Sequence, residues 1–305
     1  MRAMRGQDLT RRGILRGAAG AVLAGSGPVR AQVSGVARRS IPSSGEALPV
    51  IGLGTWIGFD VGEEEAGRAR LGAVLRTLLD GGGRVIDSSP MYGRAEAVVG
   101  DLLAEAGTRP RAFLATKVWT RGREAGLAQM RQSLARLRTD RVDLMQVHNL
   151  LDWRVHLPVL RAWKEEGRIR HLGLSHYTES AFDEVEAALR AEPVDVLQIN
   201  YALDDRAAEA RLLPLAAERG VAVLVNRPFG GGGLLARLKD RPLPGYAAEL
   251  GCASWAEILL KFVIGHPAVT CAIPGTGSPA HMAANLRAGT GPLPDAALRR
   301  RMAEL

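Results

Sequence analysis

The feature that most narrows the fold of this chain is a repeat: short β-branched runs alternate with longer stretches of helical periodicity. The runs are Val50 to Gly54, Val85-Ile86, Phe113 to Ala115, Leu144 to Val147, Ile169 to Leu174, Val196 to Ile199, Val221 to Val225 and Val269 to Ile273. Between them apolar residues recur at spacings of three and four, as at Leu127, Met130, Leu134 and Leu137. Eight alternating units predict an α/β fold whose parallel sheet closes as a (β/α)8 TIM barrel. Arg38 to Pro49 precedes the first strand and is placed to close the barrel floor as a hairpin. No linker interrupts residues 32–305, which read as one barrel domain. A doubly wound open sheet is the main alternative. Gly52 and Gly54 do not complete a GxGxxG phosphate loop, so a dinucleotide-binding open sheet lacks its signature.

In a barrel of this kind the strand ends face the active-site mouth. Asp87 ends the second run, Lys117 the third and His148 the fourth. The steps between them are 30 and 31 residues, one βα unit each, so three ionisable groups land on neighbouring strands at one height. Tyr92 lies five residues past Asp87, on a loop that folds back over the mouth. Singly, each has a bland explanation: a turn cap, a solvated charge, a core histidine, a packing aromatic. Together they describe proton-transfer chemistry. A reduced carbonyl becomes an alkoxide and needs a proton. A phenol, with an ordinary pKa near 10, is a weak donor unless an ammonium favours its phenolate. Tyr92 is therefore read as the general acid, Lys117 as its tuner, Asp87 as the group that orients Lys117, and His148 as the polariser of the carbonyl.

Charge points elsewhere at first. The net charge is +8 and the pI about 10.1, which invites a nucleic-acid reading. Six arginines against the single acid Asp8 place five of those eight charges in residues 1–31. Nucleic-acid binding therefore ranks below enzyme activity. The leader has a basic segment, an apolar stretch from Ala18 to Ala24, and small residues up to Ala31. That stretch is too short to span a bilayer, which takes about 20 apolar residues. The order is that of a signal peptide, and Thr10 to Arg16 resembles a twin-arginine export motif. Residues 1–31 are thus expected to direct a folded chain through the twin-arginine (Tat) machinery to the periplasm, without stable membrane insertion. Cys252 and Cys271 have no metal-ligand spacing and form no CxxC pair, so neither a metal site nor a disulfide is expected.

The ordered series GLGTW, IDSSPMYG, ATKVW, MQVHN, GLSHY, LQINY and IPGTG, running from about Leu48 to Asn285, resembles the motif series of the aldo-keto reductases. That resemblance implies a (β/α)8 barrel, usually NADPH (with NAD possible), and a Tyr–Lys–Asp–His tetrad matched at Tyr92, Lys117, Asp87 and His148. It also implies that Ser175 and Gln198 hold the nicotinamide carboxamide. His176 stands where asparagine is usual, and Asn226 where many members stack an aromatic ring on the nicotinamide. Gly54, Thr55, Arg227, Phe229, Gly230 and Gly231 fall among the implied cofactor positions, with the glycines letting backbone amides approach the pyrophosphate. Thr276, Ser278 and Asn285 match the adenosine-phosphate segment. There Gly275 and His281 replace the usual lysine and arginine, which should weaken discrimination between NADP and NAD. Trp56 and Trp119 are read as substrate-pocket residues. The final PLPDAALRRRMAEL reads as a short amphipathic helix, leaving an open pocket of broad selectivity.

The predicted activity is reduction of aldehydes or ketones to alcohols, or the reverse, by a chain expected to be a monomer acting on small molecules. Two other functions compete. One is a Schiff-base lyase with Lys117 as nucleophile, which leaves the adenosine-like segment without a role. The other is a non-catalytic nucleotide-binding barrel, which leaves the intact tetrad without one. Export adds a further expectation, that the cofactor stays bound and cycles between two substrates.

Overall fold

The computed structural model describes residues 35–305, and the leader read as an export signal lies outside the described residues. A hairpin of β1 (Arg38–Ser40) and β2 (Ala47–Pro49) comes first, paired antiparallel. Eight parallel strands follow: β3 (Leu53–Gly54), β4 (Val85–Asp87), β5 (Phe113–Val118), β6 (Val142–His148), β7 (Ile169–Ser175), β8 (Val196–Asn200), β9 (Ala222–Asn226) and β10 (Cys271–Ala272). Each strand pairs with the next in sequence. Bridges Ile51↔Ala272 and Gly54↔Gly275 join the two edges, so the sheet closes and the open-sheet alternative falls. Closure needs the glycine at 54, because a Cβ there would stand 2.9 Å from the Ile273 carbonyl oxygen. The eight strands are those the β-branched runs predict, with β5 extended toward the mouth, β6 extended at both ends, and β3 and β10 shortened to their paired residues.

Alternation along each strand stacks the barrel interior in layers. The lower inward residues are apolar: Val85, Phe113, Leu144, Val196 and Leu224 share one buried cluster with Ile41 and Leu48 of the hairpin. The hairpin does close the floor. Its Glu46 pairs with Arg170 and, at 3.3 Å, with Arg84 beneath the strands. Two residues further along β4, β6, β8 and β9, and four further along β5, the inward residues turn polar, and these form the site.

The helices bury their apolar faces against the outside of the sheet. In the Arg123–Arg136 helix these are Leu127, Met130 and Leu134, three of the four residues picked out by spacing, while Leu137 is buried just past its end. The Trp255–Ile264 helix starts at Ser254, whose hydroxyl accepts from the Glu257 amide. The Pro279–Ala288 helix starts in the same way at Ser278, which accepts from the His281 amide, with Pro279 in the first turn. The tail ends in the expected helix, Ala296–Met302.

Candidate active site

Asp87 is the last residue of β4, Lys117 the penultimate residue of β5 and His148 the last residue of β6. All three point into the barrel and are buried. Lys117 Nζ donates to Asp87 Oδ2 at 2.7 Å and to the Ser88 carbonyl at 2.7 Å. Asp87 Oδ1 accepts from Gln146 Nε2 at 3.2 Å and from Gln198 Nε2 at 2.8 Å. Burial opposes the Lys117 charge, but Asp87 and Tyr92 outweigh it and the ammonium pKa is raised. The Tyr92 ring, on the loop after β4, has its centroid 5.1 Å from Lys117 Nζ. Burial raises the Tyr92 pKa and Lys117 pulls it back only in part, so the phenol remains above its ordinary value. Lys117 acts in the expected direction, but partial burial of the ring is the larger effect.

A second chain of hydrogen bonds runs from Asp87 to His148. Gln198 spends its Nε2 on Asp87, so its Oε1 faces Ser175 Oγ at 3.1 Å and accepts from it. The Ser175 oxygen is then left to accept from His148 Nδ1, 3.3 Å away. This order assigns the proton of a neutral imidazole to Nδ1. The imidazole is neutral: burial, helped by Lys117 and His176, pushes its pKa down to about 3.

His176 turns its Nδ1 toward the backbone amides of Tyr177 and Thr178, at 3.0 and 3.3 Å. Its carbonyl accepts from Asn226 Nδ2 at 2.9 Å. The Tyr177 ring stacks against both imidazoles, with centroids 6.3 Å from His148 and 5.8 Å from His176. The Arg227 guanidinium lies 5.9 Å from the same ring. Arg227 has φ of +50°, and Gly230, Gly231 and Gly232 have φ of +59°, +72° and +98°. At Gly231 a Cβ would stand 2.7 Å from the Arg227 guanidinium, so the glycine makes room for that side chain. Phe229 packs against the core beneath this loop.

The remaining predicted residues divide by position. Trp56 is 62 % exposed and Trp119 40 % exposed, on the loops that follow β3 and β5. Thr55 is buried, and its hydroxyl is engaged by the Asp87 carbonyl and Ser88 Oγ at 3.0 Å each, so it ties β3 to β4. Gly275 lies against the Gly54 carbonyl, where a Cβ would make ordinary contact at 3.4 Å. Thr276 Oγ1 accepts from the Ser278 amide at 3.0 Å; His281 is exposed in the first turn of the following helix and Asn285 is buried within it. Sequence reasoning missed Gln146, Ser88, Tyr177 and Asn200. Period-two counting on β6 and β8 finds two of these, since Gln146 precedes His148 by two and Asn200 follows Gln198 by two. Tyr177 and Ser88 lie beyond the strands, where periodicity carries no signal.

The model of the aldo/keto reductase family matches residues 50–301. The chain is 30 % identical to the methylglyoxal reductase YeaE of Escherichia coli (strain K12) over 256 residues, covering 81 % of this chain and 88 % of that one. Among solved structures it resembles an aldo/keto reductase from Klebsiella pneumoniae in complex with NADP and acetate. The TM-score is 0.75 and the identity 30 %, over 88 % of this chain and 95 % of that one. A second Klebsiella pneumoniae aldo-keto reductase structure, in complex with NADPH, matches with TM-score 0.75 and 29 % identity, over 90 % and 95 % of the chains.

Proposed function

Because the chain belongs to the aldo/keto reductase family, we propose that the Tyr92–Lys117–Asp87–His148 cluster is the proton-transfer site of an NAD(P)H-dependent carbonyl reductase. The observation that carries the assignment is the buried Lys117–Asp87 pair with the Tyr92 ring beside it. The residues at the mouth fit a nicotinamide nucleotide. Gly230 to Gly232, all at positive φ, carry no side chains of their own, with Asp204 and Arg227 reaching against Gly230 and Gly231. Asn226 Oδ1 is buried beside His176 with no donor among the described residues. Ser175, the last residue of β7, and Gln198, in the middle of β8, stand in the same polar layer, hydrogen-bonded to each other. Thr276 and Ser278 stand at the start of the Pro279–Ala288 helix, whose terminal amides favour an anion. A bound nicotinamide supplies the hydride or takes it back. The NADP-bound relatives make NADP the cofactor to test first.

The protein's own work is to hold the carbonyl and deliver a proton. Tyr92 gives its phenolic proton to the alkoxide oxygen. The Lys117 ammonium stabilises the phenolate left behind, and Asp87 keeps that ammonium charged in a buried setting. His148, neutral throughout, meets the same oxygen from the β6 side. With its proton on Nδ1 its Nε2 accepts from an alcohol, which suits the oxidative direction. Donation to a carbonyl needs the proton on Nε2, a state reached when the Ser175 hydroxyl turns to donate to Nδ1. The name of the Escherichia coli relative makes methylglyoxal a first substrate to test, alongside aromatic aldehydes that the exposed Trp56 and Trp119 favour. Imine chemistry at Lys117 is disfavoured, because the amine is held as an ammonium by Asp87.

Tyr92→Phe tests the assignment. NADPH-dependent reduction of both aldehydes should fall by about 10²- to 10⁴-fold while NADPH binding is kept. Undiminished turnover in that variant overturns the proton-donor role.

The reading extends to location. Residues 1–31 act as a twin-arginine signal, and the mature barrel, residues 32–305, works in the periplasm as a monomer. The supports are the arginine pair, the short apolar stretch and the small residues before Ala31. Because nicotinamide nucleotides are made in the cytoplasm, the chain loads its cofactor before export and keeps it. Mass spectrometry of the nucleotide released from exported protein tests this. Periplasmic protein that carries no nucleotide overturns retention.

A further inference from the structure

Several buried acceptors lack donors among the described residues, Gln146 Oε1 of the Asp87 network included, and two of them lie together on neighbouring strands. Asn200 is the last residue of β8 and Asn226 the last of β9, and the strand register sets them opposite each other. By alternation, Asn200 shares the inward face with Val196 and Gln198, and Asn226 shares it with Ala222 and Leu224. Both side chains therefore belong to the polar layer at the top of the barrel. Each has its NH2 end committed. Asn200 Nδ2 donates to Asp205 Oδ2 at 2.6 Å, and Asn226 Nδ2 donates to the His176 carbonyl at 2.9 Å. A carboxylate and a carbonyl only accept, so both amide orientations are fixed. The opposite ends, Asn200 Oδ1 and Asn226 Oδ1, are buried and have no donor among the described residues. Asn200 as a whole is 2 % exposed.

A buried acceptor without a donor is costly, and native chains keep few of them. Two on adjacent strands, beside the serine and glutamine of the active site, point to a ligand that brings the missing donors. We propose that Asn200 and Asn226 form a paired acceptor for a hydrogen-bond donor at the nicotinamide–ribose end of the cofactor. This rests on the reading of the chain as a nicotinamide-dependent reductase. Two donors of that end have the required chemistry, the carboxamide NH2 and the ribose hydroxyls. Neither is reproduced by an apolar ring at position 226, so the pair makes cofactor binding here depend on polar contacts.

The test is binding, not turnover. Dissociation constants for NADPH and for its 3-acetylpyridine analogue, in which a methyl replaces the carboxamide NH2, are measured by fluorescence titration. The chains compared are wild type, Asn226→Leu and Asn200→Leu, each checked for folding by thermal melting. Loss of one such hydrogen bond should weaken NADPH binding by about threefold to tenfold. If the analogue loses nothing in the variants, the donor is the carboxamide; if both nucleotides weaken equally, it is the ribose. Wild-type affinity for both nucleotides in both folded variants overturns the pair. A wild-type chain that binds neither nucleotide overturns the reductase reading instead. Should a variant not fold, the side-chain amide resonances of Asn200 and Asn226 in the wild type decide. They shift on addition of NADPH if the carbonyls acquire donors, and unchanged resonances overturn the proposal.

Discussion

Lys117 Nζ and Asp87 Oδ2 meet at 2.7 Å in the barrel interior, where the lysine is wholly buried. They come from adjacent strands, and the register that pairs Ala115 with Asp87 sets the lysine two residues higher, within reach of the carboxylate. Two glutamine amides occupy the other Asp87 oxygen, so the acid is satisfied on both sides. Such a pair is weak evidence for stability, because desolvation offsets much of the attraction. Its value lies in keeping a cation beside Tyr92.

Asp87→Asn separates these roles. The amide leaves Lys117 buried without a counter-charge, and burial then drives its pKa down. Breaking a buried pair in this way should cost about 3–5 kcal/mol, read as a shift in the denaturant midpoint. Reductase activity should fall with it, since a neutral amine no longer favours the Tyr92 phenolate. A variant as stable and active as wild type would show that the pair does neither job.

The barrel was legible because its signals are local. β-branched runs at regular spacing give the strands, and strand-end position places Asp87, Lys117 and His148. Tyr92 needed both the loop position and the motif. What was not legible depends on contacts across the barrel. That Thr55 is spent on Asp87 and Ser88, that Gln146 and Gln198 share one oxygen of Asp87, and that Tyr177 lies against two imidazoles are facts of closure and register. One-dimensional periodicity does not carry them. The balance of forces on Tyr92 was also hidden, because burial of the ring is set by loops distant in sequence.

The adenosine end offers a charge test. His281 is exposed in the first turn of the Pro279–Ala288 helix, and position 275 is a glycine. His281→Arg adds a permanent charge where the 2′-phosphate of NADPH is expected. Affinity for NADPH should rise about threefold to tenfold, with NADH affinity unchanged. The gain should shrink as salt is raised, because the new contact is exposed and screened. Equal gains for both nucleotides would place the arginine elsewhere than at the 2′-phosphate.

The His148 imidazole makes the last prediction. Its pKa of about 3 lies below the ordinary 6.5, so folding favours the neutral ring. The sign follows: the stability this contributes is complete above pH 6.5 and is lost as pH falls from 6.5 toward 3. The slope from this one group is at most about 1.4 kcal/mol per pH unit. His148→Phe should therefore flatten the acid side of the stability curve. Across the same range protonation of His148 should produce no acid limb in the rate. The hydrogen-bond order Asp87–Gln198–Ser175 also specifies which nitrogen is protonated. Imidazole ¹⁵N shifts should report a proton on Nδ1 in the free chain, and Ser175→Ala should release that preference by removing the acceptor. A free chain with its proton on Nε2 would mean that the serine hydroxyl donates to His148 rather than to Gln198, and that the ring is set for carbonyl reduction before any ligand arrives.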